Sequence, residues 1–439
     1  MKNTKTNLIM GGIVALMPLI SLNANANVRN NDIENLQKEI NILKQRINNI
    51  SSQDTSNDFM NSIFSGIEFH GQLQLEVLDS TNDGNTYGLL GGNIADKRYV
   101  NSQITTLRFG AKKKLSEKSN FVFKAESTRE YIRFTDVYLD YKILPKLTID
   151  LGQMSIPLSL EDENDSNGNP FIDESRYYTT GSLFFTKGVG VKLKYNDTYG
   201  GITAGVYGNS YTDNISENNK FTFNVRGYVN PYKDGNNVVH LGTSHIHSIV
   251  DDSHVPHKTP DRDPASFTTN QNLKYDLKQV ESTAFEFATN YNWFNLQSEY
   301  VSGKITPASK LAQKDFIISN FYVKTGIVLT GETIEYKNGS FGNVKVSNPI
   351  NEGGFGAFEL AFKFAETDLN NTQSNILFDY GQYKESSVAL NWMPMDFVRV
   401  SLQYSRVEEE FENPFAIVVN NNNKENKYNV FAIKGKIFF

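Results

Sequence analysis

The stretch IEFHGQLQLEV, residues 67–77, decides the fold. Ile67, Phe69, Gly71, Leu73, Leu75 and Val77 alternate with Glu68, His70, Gln72, Gln74 and Glu76, a period of two. Successive side chains of an extended strand point to opposite faces, so one face of this segment is apolar and the other polar and charged. A helix would mix the two sets around its circumference.

The same period governs the chain from residue 67 to its end, in about sixteen segments bounded by turn signals. The last is YNVFAIKGKIFF, residues 428–439, where Phe431, Ile433, Gly435, Ile437 and Phe439 share one face and Ala432, Lys434, Lys436 and Phe438 the other. Short connections, SEKSN (116–120), ILPK (143–146), NDTYG (196–200) and MPMD (394–397), interleave with mostly longer ones. Short turns at one end and long loops at the other are the layout of an outer-membrane barrel. Two connections depart from it: the loop near residue 131 is short, and segment 331–354 is long although it falls on the short-turn end. Trp293 and Trp392 stand beside short turns, where an aromatic girdle meets the membrane interface. The expected fold is therefore all-β, a transmembrane antiparallel β-barrel whose apolar faces meet outer-membrane lipid and whose polar faces line a watery lumen.

Bulk composition narrows the function classes. The mean hydropathy of -0.44 excludes a helical membrane protein, and the lack of cysteine excludes a disulfide scaffold. A formal charge of -6 gives no reason to expect a nucleic-acid partner.

Ahead of the strands, Lys2 and Lys5 precede the apolar run Leu8 to Leu22, which ends at Ala24-Asn25-Ala26. Residues 1–26 read as a secretory signal peptide, with Asn27 beginning the exported chain. Ile33, Leu36, Ile40, Leu43, Ile47 and Ile50 then recur at spacings of three and four, with Glu39 and Lys44 at positions that pair between chains. Residues 29–51 are accordingly expected to form a short periplasmic coiled coil that self-associates. Residues 52–65 read as a linker, and 66–439 as the barrel.

Several stretches resemble the phosphate-selective porin family, the O/P-type porins of Gram-negative bacteria. They are DVYLDY (136–141), GQMSIPLSLED (152–162), LTGE (329–332) and GSFGNVKVSNPINEGGFGAFELAFKF (339–364), the last the most specific. The resemblance implies a homotrimer of sixteen-stranded barrels, with the long loop 155–187 folding inward to narrow each channel. It also implies an extended periplasmic turn at 331–354 and recognition of the C-terminal Phe439 by outer-membrane assembly machinery. Ile at a with Leu at d nominally favours a two-stranded coiled coil, so the barrels are expected to set the number.

Phosphate-selective members carry a dense inward ladder of arginine and lysine, and this chain departs from that pattern. The alternation turns Arg108, Lys112, Lys114, Lys124, Arg133, Lys192, Lys194, Lys363, Arg399, Lys434 and Lys436 inward, against Glu68, Glu76, Glu126, Asp136, Asp140, Asp150, Glu286, Glu299 and Glu359. Arg108, Lys112, Lys124 and Arg133, on neighbouring strands, are the candidate basic stripe. The constriction loop carries Glu161, Asp162, Glu163, Asp165, Asp173 and Glu174 against Arg176 and Lys187. Rings of charge set ion preference in pores, and these are mixed.

Two other constellations carry less. Glu163-x-Asp165-x-Asn167-Gly168-x5-Glu174 approximates a calcium-loop spacing, but Glu stands at the first ligand position, Phe171 at the ninth, and no helices flank it. It reads as a hydrated acidic loop. His245, His247, His254 and His257 fall in one short stretch without a diagnostic metal spacing, and read as an exposed segment. No catalytic signature appears, and no cofactor is expected. The function expected is a passive diffusion channel for small hydrophilic solutes and ions, including anions such as phosphate. The alternative is a surface adhesin anchored by its barrel, with loops 79–103, 155–187 and 249–280 as the binding surface.

Overall fold

The structure, a computed structural model, describes residues 65–82, 86–88, 92–94, 99–127, 132–172, 187–209, 219–255, 273–307, 315–368, 382–410 and 425–439, together with Lys38, Asn41 and Ile42. Those last three are helical. The signal-peptide and linker readings lie outside the described residues, as does the rest of the coiled-coil segment.

Residues 67–439 form one unit. Its strands are β1 Ile67–Asn82, β2 Thr86–Gly88, β3 Gly92–Ile94, β4 Tyr99–Lys114, β5 Ser119–Ser127, β6 Ile132–Leu144 and β7 Leu147–Ser155. A single-turn helix, α1 Leu160–Glu163, precedes β8 Lys187–Asp197, β9 Gly200–Tyr207, β10 Asn219–Asp234, β11 Asn237–Val255, β12 Leu273–Tyr291, β13 Phe294–Pro307 and β14 Phe316–Val328. The chain ends with β15 Ile334–Lys337, β16 Ser340–Val344, β17 Ala357–Asp368, β18 Gln382–Met395, β19 Val398–Glu410 and β20 Glu425–Phe438. Sixteen of these close into an antiparallel barrel in sequence order, while β2–β3 and β15–β16 are separate hairpins.

Closure is made by β1 against β20, with Gln72 opposite Phe438, Leu75 opposite Gly435 and Val77 opposite Ile433. Gly71 and Phe439 exchange backbone hydrogen bonds of 3.0 and 3.1 Å, which ties the chain's last residue into the seam. Every strand of the barrel thereby has two partners, as a backbone in hydrocarbon requires. The alternation sorts as the period demands. Leu75, Val77, Phe431, Ile433 and Ile437 face outward, while Gln72, Gln74, Glu76, Lys434 and Lys436 are buried inside.

One irregularity matters for the wall. Arg133 and Asp136 on β6 differ in parity and would face opposite ways on a regular strand. A register shift between Lys124 and Ala125 sets Asp136 opposite Lys124 and Arg133 opposite Glu126, so both turn inward.

Two segments fill part of the interior. Residues 156–172 run inward from the end of β7, and the β15–β16 hairpin enters from the long connection between β14 and β17. They meet at Leu160, which packs in one apolar cluster with Val238, Ala288, Val328, Tyr336, Phe341, Val344 and Met393.

Candidate functional site

The inward loop is fixed group by group. Ser159 takes extended backbone and its hydroxyl accepts the N–H of Asp162 at 3.2 Å, starting α1. The N–H groups of Leu160 and Glu161 donate to the Glu299 carboxylate on β13 at 2.6 and 3.0 Å, and the Tyr322 hydroxyl donates to the same carboxylate. A negative group at a helix start meets both the free N–H groups and the positive end of the dipole. Glu161 is held by Lys324 on β14 at 3.0 Å, with both side chains buried. Beneath the start of the loop, Met154, Ile156 and Leu158 pack on Ile246, Val280, Ala284 and Val301. An apolar patch on the inner wall of a watery barrel marks a place that protein covers.

Beyond α1 the loop is held by its own carbonyls. Lys436 donates to Ser166 O at 2.6 Å, Arg399 to Gly168 O and Asn169 O at 3.3 and 3.1 Å, and Lys434 to Phe171 O and Ile172 O at 3.1 and 2.6 Å. Gln403 accepts the N–H of Ile172 at 2.7 Å, and Phe171 is buried against Ala361 and Ala389. Asn164 bonds both Gln297 and the Phe341 N–H of the β15–β16 hairpin, at 3.0 and 2.8 Å.

The loop therefore covers the inner face of β10–β14 and β17–β20; toward β4–β6 it touches Arg108, whose Nη1 donates to Ser166 Oγ at 3.1 Å, and it leaves the rest of that face open. Arg108, Lys112, Lys114, Lys124 and Arg133 are exposed there, with Lys192 and Lys194 half-buried beside them. Acidic neighbours interrupt the row. Glu126 meets Arg108 at 3.2 Å and Arg133 at 3.5 Å. Lys194 bridges Asp150 at 2.7 Å and Asp140 at 3.5 Å, Lys192 lies 3.7 Å from Asp150, and Lys187 holds Asp136 at 3.0 Å. Lys114 pairs with Glu117 of the next turn at 2.7 Å.

Lys434 and Lys436 also point inward but do not border open water, because their ammonium groups are spent on the loop carbonyls. Arg399 and Lys363 are covered too, paired with Glu359 at 3.5 Å and Glu385 at 3.0 Å. Among the loop acids Glu161 is buried, Asp162 and Glu163 are half-covered and Asp165 is exposed. Desolvation inside the lumen, reinforced by Glu163 beside it, pushes the Asp162 carboxyl up to about 7. Asp173, Glu174 and Arg176 lie outside the described residues.

His245 and His247 face outward, bonded across to Thr283 at 2.9 Å and Glu281 at 3.0 Å. His257 and the side chain of His254 lie outside the described residues, and among the described residues no three His, Cys, Asp or Glu groups gather as metal ligands. The sequence reading passed over Arg226, whose guanidinium meets Glu286 twice, at 2.8 and 2.7 Å, and over Lys324. The alternation of Phe221, Phe223 and Val225 with Thr222, Asn224 and Arg226 was the signal that turns Arg226 inward.

Residues 86–424 match the family model described as phosphate-selective porin O and P. Porin O of Pseudomonas aeruginosa is 22% identical over 353 residues, covering 73% of this chain and 78% of its own. An uncharacterized protein of Caulobacter vibrioides is 20% identical over 357 residues, 77% of this chain and 68% of its own. Among solved structures, OmpT, an outer membrane protein of Vibrio cholerae, superposes with TM-score 0.52 at 12% identity, over 85% of this chain and 97% of its own. The anion-selective porin from Comamonas acidovorans gives 0.53 at 10% identity, over 85% and 99%. At such identities the two structures speak for the fold alone, and the family match speaks for kinship. The chain belongs to the phosphate-selective porin O and P family and is an outer-membrane porin.

Proposed function

We propose that the channel passes small hydrophilic solutes and ions by passive diffusion along the wall formed by β4–β6, and that it prefers small anions such as phosphate. One observation carries the preference: Arg108, Lys112, Lys114, Lys124 and Arg133 remain exposed inside the barrel, whereas Lys324, Lys363, Arg399, Lys434 and Lys436 on the other side are buried. An exposed cation beside the path lowers the electrostatic barrier for an anion, and a covered one adds little. Glu126 and the half-covered Glu163 limit the preference, so it is weaker than an all-cationic lumen would give. The names of the relatives, Porin O and an anion-selective porin, agree with this reading.

Three further assignments belong to the same reading. The chain is exported by the signal peptide 1–26, its barrels set a trimer in which segment 29–51 self-associates, and Phe439 presents the aromatic terminus that assembly machinery binds.

The test is single-channel recording of the refolded protein in a planar bilayer, with reversal potentials across a chloride gradient before and after adding phosphate. Anion-selective conductance that phosphate lowers supports the proposal. Cation preference removes the anion assignment while keeping the pore, and absence of conductance favours the adhesin.

A further inference from the structure

A cavity lies where the inward loop, the β15–β16 hairpin and the wall of β13, β14 and β17 come together. Its volume of about 30 Å³ exceeds the roughly 10–15 Å³ that one water needs. Glu359 on β17 forms part of the lining and is 1% exposed. Its Oε2 receives Asn391 Nδ2 at 3.3 Å and Arg399 Nη1 at 3.5 Å, both long. Among the described residues no donor reaches Oε1. That oxygen is turned over Gly326, which also lines the cavity: a Cβ on Gly326 would stand 2.7 Å from it. A carboxylate oxygen buried without a donor keeps the whole cost of leaving water, and buried charges are accordingly found paired or bound to metal.

The charges around the cavity have the matching sign. Glu161, Asp165 and Glu359 line it against Lys324. Lys324 is taken up by Glu161 at 3.0 Å, which leaves two carboxylates, the buried Glu359 and the exposed Asp165. Arg399 and Lys436 lie within electrostatic reach of Asp165, but Arg399 Nη1 and the Lys436 ammonium already serve loop carbonyls. Two side-chain amides of the lining add neutral oxygens. Asn295 Oδ1 receives Gln297 Nε2 at 3.3 Å and Gln297 Oε1 receives Asn164 Nδ2 at 3.0 Å, so each keeps a second lone pair. We propose that the cavity is a site for one calcium-sized divalent cation, which meets Glu359 Oε1 and the amide oxygens and offsets the charge of Glu359 and Asp165 together. Hard cations take mixed sets of carboxylate, amide and water oxygen, so the site does not need three carboxylates in contact, an arrangement that the described residues do not offer. It shares Asp165 with the calcium-like spacing at 163–174 but is completed by the wall, which no local spacing reveals. Because its oxygens come from the loop, β13 and β17, the ion also ties the constriction loop to the barrel.

Calcium is the probe. Refolded protein in a nonionic detergent, stripped with chelator and held in about 0.1 M choline chloride to screen surface charge, is titrated with radioactive calcium by equilibrium dialysis. The expected result is one saturable ion per chain with a dissociation constant below about 1 mM. Glu359→Gln keeps the shape of the side chain and removes its charge, and should weaken binding about ten-fold or more. Asp165→Asn should weaken it about three-fold, and because Asp165 is exposed this variant still reports if Glu359→Gln fails to close its barrel. Heat-modifiable migration in gels shows which variants closed. Glu117→Gln, in an exposed turn away from the cavity, should bind calcium as the parent does. Wild-type protein that takes up no calcium below about 1 mM overturns the proposal and leaves Glu359 to a bridging water. Binding that survives unchanged in both variants overturns it as well, by placing the ion elsewhere. No conduction is measured, so failure here leaves the channel reading intact.

Discussion

Lys324 on β14 and Glu161 on α1 meet at 3.0 Å across 163 residues of sequence, with side chains 5% and 4% exposed. The pair places the start of the inward loop against the barrel wall. Two charges out of water attract strongly, but each was desolvated to get there, so their net worth is small beside the damage of losing one.

Lys324→Met should take from the buried Glu161 the cation that offsets its desolvation and destabilise the folded channel by about 3 kcal/mol. Guanidinium unfolding of the detergent-solubilised protein measures it. The double variant Lys324→Met with Glu161→Gln should recover most of the loss, and an unrecovered double variant would show that packing, not charge, is at stake.

The two sides of the lumen should answer differently to the same loss of charge. Replacing Lys112 and Lys124 by glutamine removes exposed cations from the open wall, so the reversal potential should move toward cation preference with stability within about 0.5 kcal/mol of the parent. Lys436→Met removes a cation that already serves Ser166 O, so it should raise current noise and lower stability by about 1.5–3 kcal/mol while leaving selectivity nearly unchanged. Equal selectivity shifts from both would mean that the loop does not shield β20.

The barrel itself was legible because its signal is purely local. A period of two repeats in every spanning segment, and it fixes which side chains face in. Arg226 could have been found the same way, but its partner Glu286 lies 60 residues away and no local pattern names it. Arg133 and Asp136 were both read as inward, and they are, but strict parity would have split them: the bulge on β6 that turns both inward leaves no composition mark. The covering of Lys434 and Lys436 was illegible for a different reason: an inward lysine on a strand reads alike whether water or a loop carbonyl meets its ammonium. Only the path of residues 156–172 distinguishes them. Val280, Ala284 and Ala288, apolar at every other inward position of β12 with Ser282 and Glu286 between them, were the sequence hint that something lies on that wall.

Asp162 should give the channel a pH-dependent stability. Its folded value, about 7, stands above the ordinary 3.8, so the fold favours the neutral carboxyl. That contribution is complete below about pH 4 and is lost as pH rises through about 7. The wild-type channel should therefore be less stable at about pH 8 than at about pH 5, by about 2 kcal/mol once partial exposure is allowed for. Asp162→Asn keeps an oxygen for the Leu158 N–H and removes the charge. It should approach the wild type only below about pH 4 and exceed it by a growing margin from about pH 5 to about pH 8, in unfolding midpoints taken across that range.

Gly152 on β7, beside the open wall, should tolerate replacement poorly. Its φ of +136° is a conformation that side chains rarely adopt, and a Cβ there would sit 2.3 Å from Val137 O and 2.8 Å from the Tyr138 Cα. Both are backbone atoms of the adjoining strand, so relief requires β6 and β7 to part. The strain of the dihedral and the clash add, and Gly152→Ala should cost about 3 kcal/mol or more. Asp150 lies two residues away on β7, so the same shift should loosen its pairs with Lys192 and Lys194 and change the conductance of whatever protein still refolds. Gly227 provides the comparison, since a Cβ there meets nothing closer than Gly201 O at 3.9 Å. Gly227→Ala should refold in parental yield, and a matching loss in both variants would show that glycine itself, rather than the contact of β7 with β6, is what the barrel needs.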